Sequence, residues 1–241
     1  MEGKLKGIVL LREDRKEYDE LVTFFSREMG IINLYAFGSR SPRSFRGRNL
    51  SSFNWLELSY SVQKGIYLLE SLQVLKKNDF LQKNNMFYCL SEFLKLIRKY
   101  LPFKVQEKDL FDALFLLADK DTMLSIKENS LLLFRLVLLK SLGIFPCFYR
   151  CACCGKTCSL QYQYDFSRQA YIGLNCLTHD QSGQQLPVDS LLFLNYFYQE
   201  ITMNRNFFIY CSSVLNSAEQ EGLKPDKKKL ANFSRKLLAA F

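Results

Sequence analysis

Leu21-Val22-Thr23-Phe24-Phe25-Ser26-Arg27-Glu28-Met29-Gly30-Ile31-Ile32-Asn33-Leu34-Tyr35-Ala36-Phe37 is the stretch on which the reading of the fold turns. Two runs rich in β-branched and aromatic residues, 21–25 and 31–37, flank a short polar segment that ends in Gly30, a residue able to supply the backbone angles of a reversal. The pattern is strand, turn, strand. Outward from it, residues 6–11 predict an earlier strand and residues 53–60 and 66–75 two later ones, with turns marked by the 38–47 loop and by Gln63-Lys64-Gly65. Five strands in so short a stretch most simply close into a barrel, because closure removes the exposed edges.

From Lys76 the apolar period changes to that of a helix. Phe80, Met86, Phe87, Leu90, Phe93, Leu94 and Ile97 share one face before a break at Pro102. Further helices are predicted over 108–118 and 127–142, the latter stopped by Gly143 and Pro146. Pro187 stands as the first residue of a helix over 188–202, and a last helix covers 225–240. The fold class is therefore α+β and multidomain: a five-stranded barrel over 1–78, a helical body formed by 79–146 with 187–241, and a cysteine-rich insert over 147–186.

The chain has 241 residues and a formal net charge of +9, which points to a polyanionic partner. The apolar run at 7–11 is too short for a signal-peptide core, and the run at 131–139, interrupted by Arg135, is too short to span a bilayer. No membrane association is expected. Five of the eight cysteines crowd into 147–158, unlike the even density of a secreted disulfide scaffold, so a metal site in a reducing cytoplasm is the expectation.

Within that crowd, Cys151-Ala152-Cys153-Cys154-Gly155 is answered, 21 intervening residues after Cys154, by Cys176-Leu177-Thr178-His179. Two such hooks, joined by a segment long enough for a hairpin, are what a tetrahedral zinc site needs, and Cys151, Cys154, Cys176 and His179 are the candidate ligands. Cys153 with Cys158 is a competing register. Four protein ligands leave no open position, so the zinc would be structural. A second constellation, Arg40-Ser41-Pro42-Arg43-Ser44-Phe45-Arg46-Gly47-Arg48, holds four arginines and no acid. Arginine forks match phosphate oxygens and an aromatic ring can stack on a base, so Arg40, Arg43, Phe45, Arg46 and Arg48 are candidate DNA-binding residues; a solvated charge run is the alternative. Lys224, Lys227, Lys228 and Lys229 form a third basic cluster that an exposed helix face would also explain.

Catalysis finds little support. No phosphate-binding G-x-x-x-x-G-K-[ST] motif occurs, and the single histidine is already a candidate metal ligand. Asp112 and Asp119 are expected on helix surfaces rather than in a two-metal nuclease site. A non-enzymatic binding protein is the reading, against two rivals: a zinc-containing adaptor that contacts only proteins, and a zinc-dependent nucleic-acid enzyme.

Particular residues also carry a resemblance. Lys6-Gly7-Ile8-Val9-Leu10, Glu17 to Phe25, Arg27-Glu28-Met29-Gly30 and Ala36-Phe37-Gly38-Ser39-Arg40 look like the opening of the RecO family of recombination mediators. Phe134 to Leu139, then Leu142-Gly143-Ile144-Phe145-Pro146 and Cys151 to Gly155, resemble that family's helix leading into a zinc hook. The resemblance implies an N-terminal OB-fold, a helical body and a zinc-finger-like insert. It implies binding and annealing of single- and double-stranded DNA, and help to RecA in replacing single-stranded-DNA-binding protein. It further implies partnership with RecR, contact with the C-terminal tail of single-stranded-DNA-binding protein, and a bacterial, nucleoid-associated place in the cytoplasm. That tail is expected on the helical body between about 79 and 143, where Leu131 to Leu139 carry more apolar residues than one face needs and Arg135 and Lys140 could meet acidic groups. His179 stands where many members of the family carry a fourth cysteine, and imidazole is an ordinary zinc ligand.

Overall fold

A computed structural model describes residues 2–50, 54–77, 87–117, 130–144, 151–156, 162–165, 168, 170–176, 184–185, 190–194, 197 and 226–240. The chain falls into two compact units, Met1–Phe115 and Leu116–Phe241.

In the first unit the strands are β1 (Glu2–Asp14), β2 (Glu20–Ser26), β3 (Gly30–Ala36), β4 (Trp55–Gln63) and β5 (Ile66–Lys76). They close into a barrel in the order β1-β2-β3-β5-β4, the order of an OB-fold. Every neighbouring pair is antiparallel except β3 with β5, which run parallel through Leu34 opposite Tyr67 and Tyr35 opposite Leu68. The long first strand serves both of its neighbours, pairing with β4 through residues 2–8 and with β2 through residues 7–14. An irregularity between Val9 and Leu11 sits near the changeover, where the strand must coil from one partner to the other.

Inside the barrel lie Leu5, Val9, Val22, Phe24, Ile32, Leu34, Leu56, Leu58 and Leu69. The opposite phase of the same strands, Ile8, Phe25, Ile31 and Trp55, is also buried. This explains why residues 22–25 read as a continuous apolar run instead of an alternation. The cover is a helix. Before it come α1 (Phe45–Asn49), a single turn inside the loop expected between β3 and β4, and α2 (Phe87–Tyr100); the covering helix is α3 (Lys108–Leu117). Phe111 of α3 packs on Phe25 at 5.4 Å and on Trp55 at 5.5 Å between ring centroids, with Phe115 edge-on to Trp55 at 4.9 Å. Leu90, Phe93, Leu94 and Ile97 form the buried stripe of α2, as their spacing predicts, while Phe80 and Met86 lie outside the described residues.

The segment between α2 and α3 lies along β3: the Lys104 amide donates to the Ile31 carbonyl at 2.9 Å, and Gln106 Nε2 to the Glu28 carbonyl at 2.9 Å. Gly30 is required here twice over, since its φ is +67° and a Cβ would run into the Val105 carbonyl. Asp112 lies on the surface of α3 in a bidentate pair with Arg27, at 2.7 and 2.8 Å, and Asp119 lies outside the described residues.

The second unit contains α4 (Ser130–Ser141), β6 (Tyr162–Asp165), β7 (Ala170–Gly173), a 3-10 turn at Leu174–Cys176, β8 (Gln184–Gln185) and α5 (Lys227–Ala240). Residues 190–194 and 197 are helical as well. Leu132, Leu133, Phe134, Leu136, Val137, Leu138 and Leu139 are all buried, so the apolar excess of α4 belongs to the core, and even Arg135 is nearly covered. Asp226 caps α5, accepting from the Lys229 amide at 2.9 Å, and its own amide donates to Ser190 Oγ at 3.0 Å. No described helix is long and apolar enough to cross a membrane.

Because Trp55 is the only tryptophan, its fluorescence reports the packing of α3 on the barrel. Phe111→Ala should cost about 3–4 kcal/mol and shift the Trp55 emission to longer wavelength in the folded state. Urea unfolding followed at that wavelength measures both; unchanged stability would mean that α3 does not cover the barrel.

Candidate functional site

Two adjacent carboxylates organise the end of the barrel where β1 turns into β2. Glu20, 3% exposed, faces inward and accepts from Arg12 through Nε at 3.0 Å and Nη2 at 2.8 Å, and from Ser39 Oγ at 2.6 Å. Burial opposes its charge, but the bonds from Arg12 and Ser39, with the positive charges of Arg12 and Arg40, prevail and hold the carboxyl below the usual range. Asp19 reaches the other way, accepting from the Gly38 amide at 2.9 Å and from the Tyr35 hydroxyl at 3.1 Å. The Arg40 amide donates to the Tyr18 carbonyl at 3.0 Å. The start of the arginine-rich segment is thereby tied to the β1–β2 turn.

The far end of that segment is tied down too. Ser44 caps α1, its hydroxyl accepting from the Gly47 amide at 3.2 Å, and Leu50 is fully buried in the barrel core. Gly47 lies against the Ser39 carbonyl, where a Cβ would collide. Between these anchors lies a depression of about 340 Å³ whose lining includes Arg12, Glu20, Ser39, Arg40, Ser44 and Arg48.

The candidate DNA-binding residues do not have equal roles. Arg43 and Arg48 are exposed, and Phe45 is 60% exposed at the start of α1. Arg40 is exposed but pairs with Asp14 at 3.1 Å. Arg46 is half-buried and donates from Nη1 to the Leu69 carbonyl at 3.0 Å, a bond that ties α1 to β5. Sequence could not separate these roles, since the four side chains are chemically identical.

In the second unit the sulfurs of Cys151, Cys154 and Cys176 lie within 4.8 Å of one another. The local chain explains the convergence. The Cys151 amide donates to the Lys156 carbonyl at 3.1 Å and the Gly155 amide to the Cys151 carbonyl at 2.9 Å, a tight turn completed by Gly155 at φ +67°. β6 and β7 then form the antiparallel hairpin that returns the chain to Cys176. The Ala152 amide donates to the Tyr171 carbonyl at 2.9 Å, and Tyr164 packs edge-on against Tyr171 at 4.9 Å and Phe233 of α5 at 5.0 Å. Cys153 points out of the group, exposed, with Arg168 Nη1 at 3.5 Å from its sulfur. His179 and Cys158 lie outside the described residues.

Burial would raise the Cys151 thiol, but amide donors from Gly173, Cys154 and Cys153 and the Cys154 side chain bring it to about 6. Hydrogen bonds to the Cys154 and Cys151 sulfurs hold the proton on Cys176, pushing it up to about 12. Three sulfurs converging within 4.8 Å, one of them favoured as thiolate by amide donors, are a donor set suited to a soft divalent cation. Of the third basic cluster, Lys227, Lys228 and Lys229 sit on the first turn of α5, where Lys228 and Lys229 are exposed and Lys229 Nζ is 3.9 Å from Asp226, while Lys224 lies outside the described residues.

Residues 1–78 match the family model described as Recombination protein O N terminal, and residues 82–221 the one described as Recombination protein O C terminal. The chain is similar to the DNA repair protein RecO of Acetivibrio thermocellus, 23% identical over 240 residues that cover 97% of this chain and 94% of the relative. The DNA repair protein RecO of Caldicellulosiruptor saccharolyticus is 25% identical over 181 residues, covering 72% and 71%. That of Listeria monocytogenes is 22% identical over 197 residues, covering 81% and 76%.

The Glu20 cluster generates a pH dependence of definite sign. A carboxyl held low in the folded state stabilises the fold above its unfolded pKa and loses that contribution as the pH falls through its folded one. Wild-type stability should therefore fall as the pH drops through and below the ordinary carboxylate range, while Glu20→Gln, weaker by roughly 2 kcal/mol at neutral pH, should show a shallower acid limb. Urea unfolding across that range checks it, and parallel curves would show that Glu20 is not the titrating group.

Proposed function

The chain belongs to the RecO family of DNA repair proteins, and from that premise we propose that it is a non-enzymatic, zinc-stabilised DNA-binding mediator of recombinational repair. It binds single- and double-stranded DNA, anneals complementary strands and, with RecR, assists RecA in replacing single-stranded-DNA-binding protein, in the cytoplasm of a bacterial cell. The same proposal assigns the DNA contacts to the barrel at 1–78, the scaffold to 79–146 with 187–241, and the zinc site to 147–186. Contact with the C-terminal tail of single-stranded-DNA-binding protein rests on the family resemblance alone, because the apolar residues of α4 that would have lined a groove are buried in the core.

The observation that carries the DNA-binding part is the acid-free arginine segment, anchored at Ser39 and Leu50 so that Arg43, Phe45 and Arg48 stand exposed. A guanidinium placed in solvent by a fixed backbone meets a phosphate with little ordering cost. Arg40 adds to this when it exchanges Asp14 for a phosphate, and Arg46 supports the turn from beneath. Zinc would be held by Cys151, Cys154 and Cys176, with His179 as the fourth ligand. It would supply no catalysis, and would fix the turn and the hairpin that carries Tyr164 and Tyr171.

Replacing Arg43 and Arg48 together should lower the log-log salt slope for single-stranded DNA by about 1.4, at roughly 0.7 per phosphate contact. Fluorescence anisotropy at several salt concentrations measures this, and an adaptor that contacts only proteins would show no salt-dependent DNA binding in the wild type. For the metal, the purified chain should carry one zinc. Cys154→Ser should lose it together with hydrogen-exchange protection at Tyr164 and Tyr171, whereas Cys153→Ser should keep both. Zinc retained by Cys154→Ser and lost from Cys153→Ser would reverse the ligand assignment.

A further inference from the structure

The outer face of β3 changes character along its length. Ile31, at the start of the strand, is buried where residues 103–104 lie alongside it. Asn33, two residues on, is exposed; Tyr35 is half-buried; and Phe37, just past the strand, is 49% exposed. In the turn that faces this end, Tyr18 is 48% exposed. The rings of Tyr35 and Phe37 sit 4.6 Å apart at 52°, leaving Phe37 with much of its surface in solvent.

These rings are held in place. The Asp19 carboxylate binds both the Tyr35 hydroxyl and the Gly38 amide, one residue on each side of Ala36 and Phe37, and the Arg40 amide ties this stretch to the Tyr18 carbonyl. A half-exposed aromatic residue on a fixed backbone gives up little freedom when a partner covers it. It also leaves apolar area in water, which burial elsewhere would have removed.

We propose that Phe37, supported by Tyr35 and flanked by Tyr18, is a base-stacking platform for single-stranded DNA, continuous with the arginine segment that begins at Arg40. This rests on the DNA-binding reading and adds to it how the strand is oriented: phosphates toward the arginines, bases toward the aromatic rings. Charge complementarity selects this occupant, since four arginines without an acid follow Phe37 within 11 residues, from 38 to 48. An aromatic face accepts any base, so the platform distinguishes single strands, whose bases are free to splay, from duplexes without reading sequence.

The test compares full-length wild type, Phe37→Ala, Phe37→Tyr and the Arg43/Arg48 double variant on an oligothymidylate and on an abasic strand of equal length. Phe37→Ala should weaken oligothymidylate binding about tenfold with an unchanged salt slope, and leave abasic-strand binding as it was. Phe37→Tyr should restore the affinity, and Trp55 emission should confirm an intact barrel. Wild-type affinity of Phe37→Ala for oligothymidylate, or an equal loss on both strands, overturns the platform; if the double variant still shows a reduced salt slope, the DNA-binding reading stands without it. Absence of wild-type binding to either strand overturns both.

Discussion

Closure of the barrel by a parallel ladder of two residue pairs, Leu34 with Tyr67 and Tyr35 with Leu68, is the constraint on which the first unit depends. With β5 next to β3, the strand that follows β3 in sequence cannot be its neighbour in space. The chain must leave β3, cross the end of the barrel and begin β4 beside β1. A tight hairpin cannot span that path, so a long connection is obligatory there and nowhere else among these strands. The arginine-rich segment occupies this connection. Its position at the barrel end follows from strand order before any ligand is considered.

A long connection is ordinarily free to move, and this one is restrained by groups that carry charge or fill the core. Glu20 and Asp19 are consecutive, so their side chains leave the chain on opposite sides, one toward Arg12 and Ser39 and the other toward Gly38 and Tyr35. Leu50 closes the other end by entering the barrel core. Between these fixed points a Ser44-capped turn of helix presents side chains whose backbone is already ordered. The carboxylates therefore act mainly through geometry, their negative charge being met by Arg12, by amide and hydroxyl donors and, for Glu20, also by the nearby positive charge of Arg40.

Much of this was legible in the residue pattern. The strand pairs around Gly30 and Gly65, the stripe of α2 and the stop of α4 follow from periodicity and turn chemistry. β1 begins earlier than its apolar run because Glu2, Gly3 and Lys4 pair with β4 through backbone alone. The spacing of Cys151, Cys154 and Cys176 singled out the sulfurs that converge, since one tight turn and one hairpin are enough to bring them together. Other features carried no signal. The single turn α1 lies in a stretch whose glycine, proline and serine content reads as loop, and nothing in the composition tells Arg46 from Arg48. Phe37 and Tyr18 resemble strand residues awaiting a core, although Asn33, in phase with Tyr35 and Phe37, already marks that face of β3 as open to water.

The double burial of Phe25, Ile31 and Trp55 bears on how the chain is made. Ile31 is covered by the segment at 103–104, and Phe25 and Trp55 by α3, which ends at Leu117; the last barrel strand ends at Lys76, so the 41 residues 77–117 separate a completed sheet from a covered one. At about 5–20 residues per second, a ribosome takes roughly 2–8 s to add them. During that interval the growing polypeptide displays an apolar patch centred on Trp55, and pairing of Glu2 with Ser61 has already required contacts far apart in sequence. Until α3 emerges, the outer face of the nascent barrel therefore keeps in water the aromatic surface of Phe25 and Trp55 that the finished fold hides.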